Sequence, residues 1–242
     1  MQLAAIVGAH EPQTTPLRAL LVDAAGTLIY PSEPISQVYL EYARPYGCKF
    51  SEKEILDNFR RAFETPWTRS LLRYEGDGWS FWEFIVEQST GCNDPKMLEK
   101  LYNHYLQPSA WKLAPGALDV LAQIKSSGMK LAVVSNFDTR LRPLLTTMGA
   151  ADIFDALIIS AEVGAEKPNP LIFEIACQQL GVLPEETVHV GDDRRNDITG
   201  ARSAGCHAWL WGSDVKSFEE VAQQISTFNS ALAAEQCGSE SQ

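Results

Sequence analysis

The 242 residues predict an α/β protein, a doubly wound parallel sheet with a helical bundle inserted near its start. Three observations carry that reading. Leu17–Val22 is a short apolar run, broken only by Arg18 and ending on the carboxylate of Asp23, which is how a strand buried on both faces reads. From about 35 to 107, apolar residues recur every three or four positions with no convincing buried strand among them. From Pro115 onward, helix and strand patterns alternate, so the core is expected to be Rossmann-like.

Residues 1–16, with Pro12 and Pro16, read as a flexible leader. Met1–Ala9 is too short for a signal sequence and carries no Lys or Arg. After the first strand, Tyr30-Pro31-Ser32-Glu33-Pro34 is a proline-rich exit into the bundle, which takes 33–109. Its helices show in Val38, Tyr42 and Ala43, in Ile55, Phe59 and Phe63, in Phe81, Phe84 and Ile85, and in Met97, Leu98, Leu101 and Tyr105. Gly47, Gly76-Asp77-Gly78 and Gly91–Pro95 separate them. The sheet domain takes 17–32 and 110–228. Within it, helices are expected at Gly116–Ser127, Thr139–Met148, Pro170–Leu180, Asp197–Ala204 and Phe218–Phe228. Strands are expected at Lys130–Val134, Ala156–Ser160, Thr187–Val190 and His207–Trp211. The Ala/Ser/Glu-rich tail, 229–242, reads as disordered.

Composition narrows the partners. With 20 Lys and Arg against 31 Asp and Glu, the net charge is −11. Such a surface repels nucleic acid and anionic lipid, so neither nucleic acid nor membrane is expected to bind. Five scattered cysteines without a CxxC pair point to reduced thiols. The expected compartment is the cytoplasm, or an organelle interior if a transit peptide has been removed. A monomer or homodimer acting on a small phosphorylated substrate fits this profile.

Four predicted strands end in polar groups at one edge of the sheet: Asp23, Ser135-Asn136, the stretch before Lys167-Pro168-Asn169-Pro170, and Gly191-Asp192-Asp193 with Asp197 downstream. Singly, each has a structural explanation as a helix cap, a loop pair or a turn. Together they compose a metal-assisted phosphoryl-transfer site. Asp23 and Asp192 can hold Mg²⁺, a hydroxyl and backbone N–H groups can cradle phosphate, and a lysine neutralises the charge held between them. Asp23 then attacks phosphorus and forms an aspartyl-phosphate.

The order Asp23-Ala24-Ala25-Gly26-Thr27-Leu28, Ser135-Asn136, Lys167-Pro168-Asn169-Pro170, and Gly191-Asp192 with Asp197 resembles the four motifs of the haloacid dehalogenase-like hydrolase superfamily. The resemblance covers about 17 to 225 and implies that the inserted bundle is the superfamily's helical cap. It implies a catalytic set of Asp23, Ser135 and Lys167, with Thr27, Ser135, Asn136 and Lys167 on the phosphate. It implies Mg²⁺ on Asp23, Asp192 and the Ala25 backbone carbonyl, supported from behind by Asp193 or Asp197.

Ala25 departs from the pattern. Phosphatases of the superfamily usually carry a second aspartate there to protonate the leaving oxygen, and the branch called haloacid dehalogenase-like hydrolase domain-containing protein 3 resembles this chain in lacking it. Another group substitutes, or substrates with good leaving groups are used, or the site only binds a phosphorylated ligand or protein. Dehalogenases lack the acidic motif present here. Phosphonatases use a cap lysine, but Lys49, Lys53, Lys96 and Lys100 read as solvated faces. In the cap, Arg60, Arg61, Arg69 and Arg73 with Trp67, Trp79 and Trp82 form either a grip for an anionic aromatic ligand or a solvated face over core aromatics. His189 reads as a packed core histidine.

Overall fold

The computed structural model describes residues 15–239. Seven strands follow in chain order: β1 Ala19–Val22, β2 Ile29–Pro31, β3 Trp111–Leu113, β4 Lys130–Ser135, β5 Ala156–Ile159, β6 Thr187–Gly191 and β7 His207–Leu210. Five of them form one sheet in the order β5-β4-β1-β6-β7, and every pairing in it is parallel. Its strands are buried on both faces because their alternate residues divide between two cores. Leu20, Val22, Leu131, Val133, Val188 and Val190 pack on one side against the helices Ala117–Ser126, Leu141–Thr147 and the start of Phe218–Ser239. Ala19, Leu21, Ala132 and Val134 pack on the other side against Phe173, Ala176 and Leu180 of the helix Leu171–Leu180. A period of two with both phases apolar is what a strand between two helix layers requires.

Four helices, α1 Ile35–Ala43, α2 Glu52–Glu64, α3 Trp79–Thr90 and α4 Pro95–His104, form the inserted cap around their own core of Tyr39, Ile55, Phe81, Ile85, Met97 and Leu101. Ser51 and Glu54 close a capping box at the start of α2, and Asp94 caps α4 ahead of Pro95. The chain enters and leaves the cap through β2 and β3, which pair antiparallel as Ile29 with Leu113, Tyr30 with Lys112 and Pro31 with Trp111. This two-stranded ribbon is absent from the sequence-based expectation, because each strand spans three residues and its partner is distant in the chain.

Two further differences concern the end of the chain. The expected helix at Asp197–Ala204 begins earlier, as a π-wound turn over Arg194–Thr199 continued by an α turn over Gly200–Ser203. Asp193 starts it by accepting from the N–H groups of Arg195 and Asn196. The expected disorder from 229 is also corrected, since the last helix runs from Phe218 to Ser239. Asn229 ties it down, accepting from Leu17 N at 2.8 Å and donating to Leu17 O at 3.1 Å, and Leu232 is buried. Most of the leader, 1–14, and residues 240–242 lie outside the described residues.

The segment between α2 and α3 docks the cap onto the sheet domain. Glu166 accepts from the backbone N–H of Arg73 and, at 3.2 Å, of Tyr74. Thr139 N donates to Gly76 O, and Trp82 Nε1 donates to the buried Asp138 at 2.9 Å. Gly78 lies at φ +71°, and a Cβ there would stand 2.8 Å from Asp138 Oδ2. Gly78→Ala is therefore expected to cost about 2 kcal/mol through backbone strain and this clash. Thermal denaturation together with proteolysis of the 65–78 segment checks it. A variant as stable and protease-resistant as the parent would refute the account.

Candidate active site

Asp23 leaves the carboxyl end of the central strand β1, its N–H donating to Val190 O on β6 at 2.9 Å. Its carboxylate meets Lys167, whose Nζ lies 2.6 Å from Asp23 Oδ1 and 2.6 Å from Asp197 Oδ1. All three residues are buried, at 5%, 5% and 1% exposure, so the ammonium has no comparable partner in solvent. Asp197 is fully engaged. Its Oδ1 also meets His189 Nε2 at 2.9 Å, and its Oδ2 accepts from Asp193 N at 2.9 Å.

Two glycines let the carboxylates approach. A Cβ at Gly191 would stand 2.2 Å from Asp197 Cγ, and one at Gly26 (φ +94°) would stand 2.3 Å from Asp192 Oδ2. Only a residue without a side chain leaves room at either position. Carboxylate oxygens of Asp23, Asp192 and Asp197 consequently lie within 4.8 Å of one another.

The charge balance is incomplete. Burial, the largest influence, pushes Asp23 up to about 7; Lys167 opposes the rise and Asp197 adds to it. Burial also acts to raise Asp197, but Lys167 and His189 outweigh it and hold that carboxyl well below the usual range. Lys167 is raised, because its two carboxylate partners outweigh burial. Burial lowers His189 and favours its neutral form against the pull of Asp197. Three carboxylates thus face one ammonium, and the charge left over suits a divalent cation. Of the three, Asp23 and Asp192 could hold one, since Asp197 has both oxygens occupied.

Several expected site residues converge here and others do not. Ser135 is buried at the end of β4, and Thr27 Oγ1 is buried without a hydrogen-bond partner, as a hydroxyl awaiting a ligand oxygen would be. Asn136 is a correction. Its Oδ1 accepts from Lys167 N at 2.7 Å and its Nδ2 donates to Lys167 O at 2.8 Å, so its amide clamps the lysine loop rather than facing phosphate. Asp193 is another, because its carboxylate caps a helix and only its N–H reaches Asp197. Sequence reasoning missed the contact of His189 with Asp197; the spacing of eight residues across the β6 turn was the available signal.

The cap arginines have their partners within the cap. Arg60 pairs with Asp57, Arg61 bonds Asn58, Arg69 covers Trp67 and Phe84, and Arg73 donates to Phe63 O. Lys49, Lys53, Lys96 and Lys100 are exposed, as expected of a solvated face. Ala25, exposed beside Asp23, carries only a methyl group.

This arrangement of a strand-end aspartate, a buried lysine and a paired acidic turn has known counterparts. The family described as haloacid dehalogenase-like hydrolase matches residues 17–205. The chain belongs to that family. Haloacid dehalogenase-like hydrolase domain-containing protein 3 of Bos taurus is 33% identical over 205 residues, covering 80% of this chain and 81% of the relative. Glyceraldehyde 3-phosphate phosphatase of Methanopyrus kandleri is 42% identical over 102 residues, 42% of each chain. Among solved structures, a HAD phosphatase from Thermococcus onnurineus is 26% identical with a TM-score of 0.62, covering 86% of this chain and 98% of that one. No helix among the described residues is long and apolar enough to cross a membrane.

The electrostatics separate the acidic residues. Asp197→Ala removes a buried partner of Lys167 and is expected to cost about 3 kcal/mol. Asp192→Ala relieves repulsion between carboxylates at an exposed position and is expected to leave stability unchanged or raised. Urea denaturation without divalent cations ranks the two variants. The opposite ranking would contradict the assigned roles.

Proposed function

We propose that this hydrolase is a Mg²⁺-dependent phosphatase that acts on a small phosphorylated metabolite through an aspartyl-phosphate on Asp23. The observation that carries the reading is the buried Lys167 ammonium, held 2.6 Å from Asp23 by Asp197 and so aimed at the carboxylate that would receive the phosphoryl group. Asp23, Asp192 and the Ala25 carbonyl would hold Mg²⁺, which supplies neutralising charge where the nucleophile meets the phosphate. The Asp23 carboxylate forms a bond to phosphorus while the ester P–O bond breaks, and the leaving oxygen departs with the electron pair. Lys167 balances the negative charge of the two groups as they close, and the hydroxyls of Thr27 and Ser135 orient the phosphate oxygens. Water then opens the acyl-phosphate, regenerating Asp23 and releasing phosphate.

Ala25 favours a second reading, in which the site binds a phosphorylated ligand or protein and turns over slowly or not at all. The similarity to glyceraldehyde 3-phosphate phosphatase supports the first, and so does the intact cluster of Asp23, Lys167 and Asp192. The solvent exposure of all four cap lysines counts against a Schiff-base phosphonatase, and the acidic cluster counts against a dehalogenase.

Mg²⁺-dependent hydrolysis of p-nitrophenyl phosphate, lost in Asp23→Asn, is the expected result. Binding of beryllofluoride with Mg²⁺ but no turnover would favour the binding reading. Introducing the missing acid tests the role of Ala25. Ala25→Asp is expected to raise kcat/KM for an alkyl phosphate about a hundredfold, with little gain for p-nitrophenyl phosphate. Equal gains on both substrates would show that Ala25 is not a simple loss of the proton donor.

A further inference from the structure

Between the cap and the sheet domain lies a crevice of about 690 Å³, measured out to its open mouth. Aromatic rings dominate its wall: Tyr39, Trp79, Trp82 and Tyr102 from the cap, Trp111 from β3 and Phe137 from the loop after β4. Trp79 and Tyr102 pack against each other with centroids 4.9 Å apart and planes tilted by 59°, and Trp111 meets Phe137 at 6.1 Å. Phe137 follows Ser135-Asn136 directly, and Pro31 of the wall ends the strand that returns from the Asp23 turn. Phe137 and Pro31 thus tie the crevice to the loops of the candidate phosphate site, although none of the residues assigned to that site lines it.

Its lining cation is already paired, and its other charged residue is a carboxylate. Arg140 lies 3.9 Å over the Tyr102 ring, but its guanidinium is committed to Asp138 through two contacts of 2.7 Å. Glu83 adds a carboxylate to the wall. Phosphate has no free cation to meet here, whereas an uncharged ring finds edges and faces to pack on. The chemistry beside it leads to the same class of ligand. Around Asp23, Lys167 and Asp197 are tied to one another, Asp192 faces Asp23, and Ala25 offers no proton. A leaving group that needs no proton is what this site can release.

Resting on the phosphatase reading above, we infer that the substrate is an aryl phosphate: its phosphate lies at Asp23 and its uncharged aromatic ring in the crevice between cap and core. Asp23 forms the O–P bond as the aryl P–O bond breaks. The electron pair leaves on the aryloxide, which takes its proton from water. Recognition and reactivity then reside in the same part of the substrate.

Three substrates separate these effects in the intact chain with Mg²⁺. 2-Naphthyl phosphate has both the ring and a stable leaving anion, acetyl phosphate has a good leaving group without a ring, and 2-phenylethyl phosphate has a ring on an alkoxide. The expected result is a low KM for both ring-bearing esters, with kcat for the phenylethyl ester lower by about a hundredfold. Val86→Phe fills the crevice and Trp79→Leu removes one of its faces. Each is expected to lower the ratio of naphthyl to acetyl phosphate kcat/KM about tenfold, mainly through KM. The second variant covers the case in which overpacking at Val86 unfolds the cap. An unchanged ratio in a folded variant, or a phenylethyl ester turned over as fast as the naphthyl ester, would overturn the aryl assignment while leaving a phosphatase. Failure to hydrolyse any of the three substrates would remove the phosphatase reading itself.

Discussion

The ammonium of Lys167, buried between Asp23 and Asp197, is the constraint on which the rest depends. A charge taken out of water costs several kcal/mol, and only close, well-oriented partners offset that. Here those partners come from β1 and from the turn after β6, so both strand ends must arrive at one point. The lysine itself sits on a loop rather than on a regular element. Asn136 fixes that loop by pairing with both backbone polar groups of Lys167. Gly191 completes the geometry by leaving the space that Asp197 fills. The parallel sheet is in this sense a frame for holding one cation in place.

The loops that build the site also carry the cap. Asp138 and Arg140 follow Ser135-Asn136, and Glu166 precedes Lys167, so the cap's anchoring contacts lie within a few residues of the charged cluster. Tyr74 of the cap stacks on Phe137 with ring planes 13° apart. A shift of the cap therefore reaches the phosphate side through short, packed connections rather than through a long chain of contacts. Glu166 links the two halves most directly, because its carboxylate takes backbone donors from the cap while its neighbour in sequence holds Asp23.

How much was legible in the chain follows from how local each signal is. The buried strand ending at Asp23 and the cap helices were visible because apolar period and turn punctuation are properties of a few adjacent residues. Asp192 was visible at the end of an apolar run, and Lys167 through the resemblance of Lys167-Pro168-Asn169-Pro170 to a superfamily motif. The role of Asn136 was not, since an amide after a strand caps a helix as readily as it clamps a loop 31 residues away. Asp193 was misjudged for the same reason, and His189, packed in the core as expected, has a contact with Asp197 that only the turn's shape decides. The tail helix was missed because what orders it is Asn229 reaching back to Leu17, 212 residues earlier. Composition alone cannot register that bond.

Pairing Pro31 with Trp111 in the β2–β3 ribbon places the departure and return of the inserted chain side by side. Once those ends are joined, the entropy of closing the loop grows only with the logarithm of its length, so each doubling of the insertion costs roughly 0.6 kcal/mol. The sheet domain is nearly indifferent to how many residues hang from the ribbon. That makes the cap an exchangeable module. Selection can lengthen, shorten or replace the wall a ligand meets without reopening the problem of burying a lysine among carboxylates.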